Sequence, residues 1–268
     1  MEKLTAQKIK GVYIPLITPF YKGAFDGESM KKLIDSVEPF VAGYVPCLSS
    51  GEGTKLSKDQ WIEVVKTVRE LTDKPVIAGI KRETLNETIE LANIASKLKC
   101  EAIIVPISQQ NEEEIFDYLS RLSKSVSLPI IIYNTEKYHI DNIEFLLKIS
   151  TIENIIGLKD SSENQEFFDQ ACKLRAENKL NIAILQGLEN QLKDSKNSDG
   201  FLISLANIEP QLCNDVFIKP SSVLDEKVID IFWKYNLGSA NWFITLKALL
   251  YERKIINSAE EISLAIKP

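Results

Sequence analysis

The sequence predicts a (β/α)8 TIM barrel with additional C-terminal helices, an α/β fold. Three observations carry the expectation. Short apolar runs rich in β-branched residues alternate with longer segments of helical period between Gly11 and Ser204. The runs are apolar almost throughout rather than at every second position, which suits strands buried on both faces, and strand–helix alternation calls for parallel pairing. No Gly/Ser-rich linker interrupts the pattern, and a chain of 268 residues fits one barrel. An open doubly wound sheet is the other arrangement compatible with the same alternation.

Eight runs are the strand candidates: GVYIPLI (11–17), GYVPCL (43–48), PVIAGI (75–80), EAIIVPI (101–107), PIIIYN (129–134), NIIGLK (154–159), NIAILQG (181–187) and GFLIS (200–204). Pro75 and Pro129 stand at strand starts, where a missing N–H costs least. The segments 28–40, 57–71, 84–99, 111–126, 142–150 and 164–177 have helical period. Ser57–Gln60 has the S-x-x-Q form of a capping box, and the helix that it opens should bury Trp61, Val64, Val65 and Val68. Glu112 to Glu114 fall in the first turn of another helix, where the helix dipole favours carboxylates.

Strand patterning then stops, and 221–236 and 239–256 show helical spacing. Val228, Ile229, Ile231, Phe232 and Trp233 are the apolar positions of the first, and Trp242, Phe243, Leu246, Leu249 and Leu250 those of the second. Their aromatic content fits either core packing or an oligomer contact. The expected organisation is a catalytic barrel over 1–210 and a helical extension of the same domain over 211–268.

The formal net charge of −6 disfavours nucleic acid or an anionic membrane as the main partner, which leaves a small molecule or a protein surface. The apolar runs are too short to cross a bilayer, and MEKLTAQKIK lacks the apolar core of a secretory signal, so a cytoplasmic protein is expected. Cys47, Cys100, Cys172 and Cys213 have no C-x-x-C spacing and read as reduced, buried thiols. His139, the only histidine, lies in a loop-like stretch and reads as a surface residue. A single histidine excludes a His-rich metal site and leaves little room for a His-based triad, so Lys, Tyr, Ser or a carboxylate must move any protons. There is no phosphate-loop or dinucleotide fingerprint, and neither a metal nor a cofactor is expected.

A barrel carries its site at the C-terminal ends of its strands. The residues that close the runs are Thr18, Ser49, Ser50, Ser108, Tyr133, Lys159, Gly187 and Ser204. Lys159, at the mouth of an apolar strand, should be partly desolvated, which disfavours its charged form and leaves an amine able to attack a ketone. A lysine that snorkels to solvent has the same sequence signature. Tyr133 closes the preceding strand, so the two should be neighbours, and a phenol there can relay protons; a packed tyrosine with a satisfied hydroxyl reads alike. LSSGEGTKLS places the Ser49 and Ser50 hydroxyls in a Gly-punctuated turn whose amides could hold a carboxylate, or which is an ordinary βα loop. Glu52 in that turn is expected to bond loop amides.

At these residues the chain resembles the dihydrodipicolinate synthase and N-acetylneuraminate lyase family of pyruvate-dependent class I aldolases. SSGEGTKLS is similar to that family's hydroxyl-hydroxyl-Gly-Glu loop, IIIYN to its Tyr-Asn strand end, and GLKDSS to its Schiff-base lysine strand. The resemblance implies that Lys159 forms an imine with pyruvate or another 2-oxo acid and that Tyr133 shuttles protons. It also implies that Ser49 belongs to the relay and that Ser50 binds the substrate carboxylate. Gly187 and Ile203 match backbone positions near the bound ketoacid, and Ser161 and Glu189 match positions that touch the rest of a sugar acid. A homodimer or homotetramer is implied as well.

Three departures bear on the substrate. Ser108 stands in the region where the synthase branch supplies a tyrosine to a neighbouring subunit, Tyr138 with Lys137 beside it stands where that branch has an arginine, and 190–199 is more polar than the family's small-residue helix. The absence of that tyrosine and that arginine favours a 2-keto-3-deoxy sugar acid over aspartate semialdehyde. 4-Hydroxy-tetrahydrodipicolinate synthesis and a non-catalytic, ligand-binding barrel are the alternatives.

Overall fold

The computed structural model describes residues 3–262; the last stretch of the expected extension, 263–268, lies outside the described residues. The strands are β1 (Gly11–Pro15), β2 (Phe20–Tyr21), β3 (Ala24–Phe25), β4 (Gly43–Val45), β5 (Ile77–Gly79), β6 (Ala102–Pro106), β7 (Ile130–Thr135), β8 (Ile155–Ser161), β9 (Ala183–Gln186) and β10 (Gly200–Leu202). All except the β2–β3 hairpin form one parallel sheet in the order β4-β1-β10-β9-β8-β7-β6-β5. Tyr44 closes the ring: it bridges to Val76, and its N–H donates to Pro75 O at 2.9 Å. The sheet is therefore a barrel, and the open doubly wound alternative does not hold.

Six helices follow strands around the outside: α1 (Gly27–Val37), α2 (Lys58–Leu71), α3 (Leu85–Lys97), α4 (Glu112–Ser125), α5 (Ile143–Ile149) and α6 (Gln165–Ala176). The capping box at Ser57 and Gln60 is formed in both directions, and α2 buries Trp61, Val64, Val65 and Val68 as its spacing requires. Between β9 and β10 the polar stretch makes only a 3-10 helix, Glu189–Asp194. Helices α7 (Pro210–Ile218), α8 (Ser222–Lys234) and α9 (Trp242–Glu252) come after the last strand.

Side-chain alternation sorts the strands into two cores. Val45, Ile77, Ile104, Ile131, Leu185 and Leu202 point into the barrel, and Leu4, Ala6 and Ile9 from the N-terminal segment join them. Val12, Ile14, Val76, Ile103, Ile130, Ile132 and Leu158 point outward into the layer shared with the helices. Each such side chain contributes about 1.5–3 kcal/mol on leaving water, which is why the runs read as apolar at every position.

The boundaries differ from the expected runs in ways that backbone chemistry explains. β4 stops at Val45 because Pro46 has no N–H to donate and Cys47 takes a left-handed φ of 62°. β8 continues past Lys159 to Ser161, which pairs with Thr135. The β2–β3 hairpin, unanticipated from its short strands, turns through Lys22 and Gly23, both at positive φ as a two-residue hairpin requires. Helix α7 was also unanticipated. On α8, Val228 and Phe232 are buried as expected, but Trp233 is 69% exposed. A single turn of helix cannot bring all of the adjacent Ile231, Phe232 and Trp233 onto one face. All four cysteines are buried and free. Among the described residues no helix is long and apolar enough to cross a membrane.

Candidate active site

The floor of the site is the β7–β8 pair. In β7, Ile131 and Tyr133 face the barrel interior, and Ile130, Ile132 and Asn134 face out. In β8 the register shifts by one: Ile130 pairs with Ile155, but Ile131 pairs with Gly157, leaving Ile156 as the extra residue of a bulge. The bulge reverses the parity of everything after it. Ile155 and Leu158 both face outward, and Lys159 turns inward beside its register partner Tyr133. Without the extra residue, alternation from Ile155 would aim Lys159 at the helices.

Lys159 is 5% exposed, and its Nζ lies 3.9 Å from the centroid of the Tyr133 ring. Behind this pair, on the outer face, Asn134 Nδ2 donates to Asp160 Oδ1 at 2.7 Å and to Ile140 O at 2.9 Å, and its Oδ1 accepts from Ile140 N. Ser162 Oγ donates to Asp160 Oδ2 at 3.2 Å. Burial holds the Asp160 carboxyl above its ordinary range, against these hydrogen bonds. Asn134 and Asp160 were missed as contributors. Both stand inside the motifs YN and KD, one residue from the side chains they brace.

Gly187 follows β9 and donates its N–H to Asp160 O at 2.7 Å. A Cβ here would lie 2.7 Å from Lys159 Cε and would collide with Ser161 Oγ, so the close approach of the lysine stem requires glycine. Ser161 Oγ is buried and has no hydrogen-bond partner.

The serine turn is tightly constrained. Leu48 O accepts from the N–H groups of Gly51 and Gly53, both at 3.1 Å, and Thr18 Oγ1 donates to Gly51 O at 2.7 Å. Ser49 is exposed at the cavity mouth and Ser50 is buried in its wall. Glu52 does not bond loop amides as expected. Its buried carboxylate instead receives Lys247, Lys55 and the N–H of Ile262.

Glu189 Oε1 accepts from Ser204 N and Ser204 Oγ, both at 2.7 Å, and from Leu205 N at 3.0 Å. It thereby caps the 3-10 helix Ser204–Asn207, while both residues still line the cavity. Ile203 is fully buried in the outer core and does not line it.

These groups share one cavity of about 500 Å³ at the C-terminal ends of the strands. Lys159, Tyr133, Ser49, Ser50, Ser161, Gly187, Glu189 and Ser204 all line it, as do Ser108, Lys137 and Tyr138. Lys81 adds a further cation, and no arginine is among the lining residues. Its cover was not anticipated: Phe232 and Leu237 to Ala240, with Trp242 at the start of α9, close over the mouth. The Trp242 Nε1 has no hydrogen-bond partner. His139 is outside this cavity, in the loop after β7, as expected for a surface residue.

A buried amine beside a phenol, with hydroxyls on the facing turn, is suited to carbonyl chemistry through an imine. Comparison with known proteins bears on the same region. A family model described as the dihydrodipicolinate synthetase family matches residues 8–222. The 4-hydroxy-tetrahydrodipicolinate synthase of Parvibaculum lavamentivorans is 30% identical over 223 residues, covering 76% of this chain and 73% of that protein. The enzyme of the same name from Methanothrix thermoacetophila is 27% identical over 211 residues, covering 75% and 71%. Among solved structures, dihydrodipicolinate synthase from Bacteroides thetaiotaomicron superposes with a TM-score of 0.87 at 22% identity, covering 95% of this chain and 92% of that one. The Acinetobacter baumannii synthase complexed with pyruvate gives 0.85 at 23%, covering 97% and 93%.

Proposed function

This chain belongs to the dihydrodipicolinate synthetase family and is a carbon–carbon lyase of the aldolase type, and we propose that Lys159 forms its Schiff base with pyruvate or a related 2-oxo acid. The observation that carries this reading is the inward-facing Lys159, 5% exposed and 3.9 Å from the Tyr133 ring in the shared cavity. The neutral amine attacks C2 of the 2-oxo acid, the oxygen leaves as water, and the protonated imine draws electrons from C3. Loss of a C3 proton gives an enamine, which adds to the carbonyl of a second substrate; cleavage runs the same steps backward.

Tyr133 passes protons between the carbinolamine oxygen and the second substrate, with Ser49 extending the relay to the mouth. Ser50 and the amides of its turn hold the 2-oxo acid carboxylate. Gly187 keeps the lysine stem clear, and Ser161, whose hydroxyl has no other partner, meets the far end of the substrate. Glu189 acts through Ser204, and Ile203 contributes its backbone only.

For the second substrate the reading is a hydroxylated aldehyde, giving a 2-keto-3-deoxy sugar acid. It is supported by an outer cavity furnished with Ser108, Thr135, Lys137, Tyr138 and Ser239 and lacking arginine. The names of the similar proteins favour a second reading, 4-hydroxy-tetrahydrodipicolinate synthesis. Borohydride reduction in the presence of pyruvate is expected to add a stable mass to Lys159 and none to a Lys159→Arg variant. A parent protein that gains no adduct overturns the Schiff-base reading. A panel of sugar-acid aldehydes and aspartate semialdehyde then separates the two substrates, turnover of aspartate semialdehyde alone favouring the second.

A further inference from the structure

Lys247 lies on α9, away from the cavity, and its side chain is fully buried, as is that of its partner Glu52 in the serine turn. Its Nζ donates to Glu52 Oε1 and to Glu260 O at 2.8 Å. The other oxygen of Glu52 takes Lys55 Nζ at 3.0 Å and Ile262 N at 3.1 Å. One carboxylate therefore ties together the serine turn, α9 and the segment Glu260–Ile262. A buried ion pair of this kind is costly to desolvate and is weak evidence for stability, so it invites a question about what it specifies.

The turn itself suggests the answer. Cys47 and Glu52, on either side of Ser49 and Ser50, hold left-handed φ values of 62° and 52° although neither is glycine. Such residues persist only where surrounding structure over-determines them. Gly51 and Gly53 are pressed against neighbouring backbone, Gly51 with a would-be Cβ 2.7 Å from Leu16 O, so the turn cannot relax inward. Glu52 is the point at which it is held from outside. The same helix presents Trp242 to the cavity, so the anchor of the turn also seats the cover.

We propose that Lys247 is a positioning residue: through Glu52 it holds the Ser49–Ser50 turn in register with Lys159, so that the 2-oxo acid carboxylate finds its donors preorganised. This rests on the Schiff-base reading for what the turn binds, but the anchoring can be read out independently. The experiment uses the full chain with Lys247→Met, the double variant Glu52→Met/Lys247→Met, and Arg69→Met as control. Arg69 makes a partly buried ion pair with Glu101 at 2.9 Å, at the opposite end of the barrel. The double variant removes both buried charges and so avoids the orphaned carboxylate that could unfold the single one.

Both Lys247 variants are expected to raise the pyruvate concentration for half-maximal borohydride trapping about tenfold, the loss of one charge-assisted hydrogen bond. The limiting trapping rate should stay within about threefold, because Lys159 and Tyr133 are untouched. Amide exchange at Gly51 to Gly53 should accelerate in both and not in Arg69→Met. Half-saturation that rises equally in Arg69→Met, or exchange at the turn that stays unchanged in the double variant, overturns the proposal. A parent protein that fails to trap pyruvate defeats the Schiff-base reading alone, and turn exchange still decides whether Lys247 is the anchor.

Discussion

Lys159 and Tyr133, on the floor of the cavity, are placed by backbone pairing between neighbouring strands; Trp242, on its cover, is placed by a helix docked through side chains from the far end of the chain. The floor depends on contacts that repeat every residue along β7 and β8, reinforced by the Asn134–Asp160 bond behind it. The cover depends on a few long-range contacts, of which Lys247 to Glu52 spans 195 positions. Backbone ladders preserve geometry through sequence change, because any residue that tolerates the strand keeps the register. A side-chain clamp is lost with one substitution. Chemistry that must be kept belongs on the first kind of wall, and discrimination that can drift belongs on the second.

The largest expected difference between the two walls is kinetic. Tyr133→Phe keeps the ring beside Lys159 Nζ and removes the hydroxyl, so it should leave the fold intact and lower kcat by about 100- to 10,000-fold, the usual share of a general acid–base group. The check is a rate measurement with the second substrate that the panel identifies, alongside the borohydride adduct, which should still form but more slowly. Unchanged kcat would move proton transfer to another group and remove the tyrosine from the floor's function.

Trp242→Ala tests the cover with a smaller effect. It should raise KM for the second substrate about tenfold, equivalent to about 1.4 kcal/mol, and leave pyruvate trapping at Lys159 within about twofold. A loss of trapping as severe as that from Tyr133→Phe would erase the distinction between the walls.

The same distinction governs how much could be read in advance. Lys159, Tyr133 and the serine turn are legible because a strand announces itself by an apolar run, and in a barrel the polar residue that ends the run lies at the mouth. What the run cannot announce is parity: the bulge at Ile156, which turns Lys159 inward, leaves no mark in IIGLK beyond one additional apolar residue. The cover was illegible for another reason. Helical spacing places Phe232 and Trp242 on apolar faces correctly, but nothing in it says that the connector between them crosses the cavity. Glu52 reads locally as a turn residue; its partner Lys247 reads as one polar position in an apolar helix. Only tertiary structure pairs them.

The smallest effect is expected just behind the floor, where a wrong sign would be most informative. Burial raises the Asp160 carboxyl above its ordinary 3.8, outweighing the hydrogen bonds from Asn134 and Ser162. A carboxyl whose pKa is raised on folding holds its proton more tightly in the folded state. Its contribution is therefore most favourable below the ordinary value and is lost as pH rises through the raised one. Asparagine at this position has no proton to lose, still accepts from Asn134 Nδ2, and can donate to a Ser162 hydroxyl that has rotated to accept. The melting temperature of Asp160→Asn relative to the parent should accordingly climb from about pH 4 upward and level off above the raised pKa. Half-saturation for pyruvate should not change, since Asp160 faces away from the cavity. A parent that instead gains on the variant as pH rises would mean that the ionised carboxylate is stabilised by its hydrogen bonds. The β7–β8 floor would then owe its rigidity to a charge rather than to the backbone ladder.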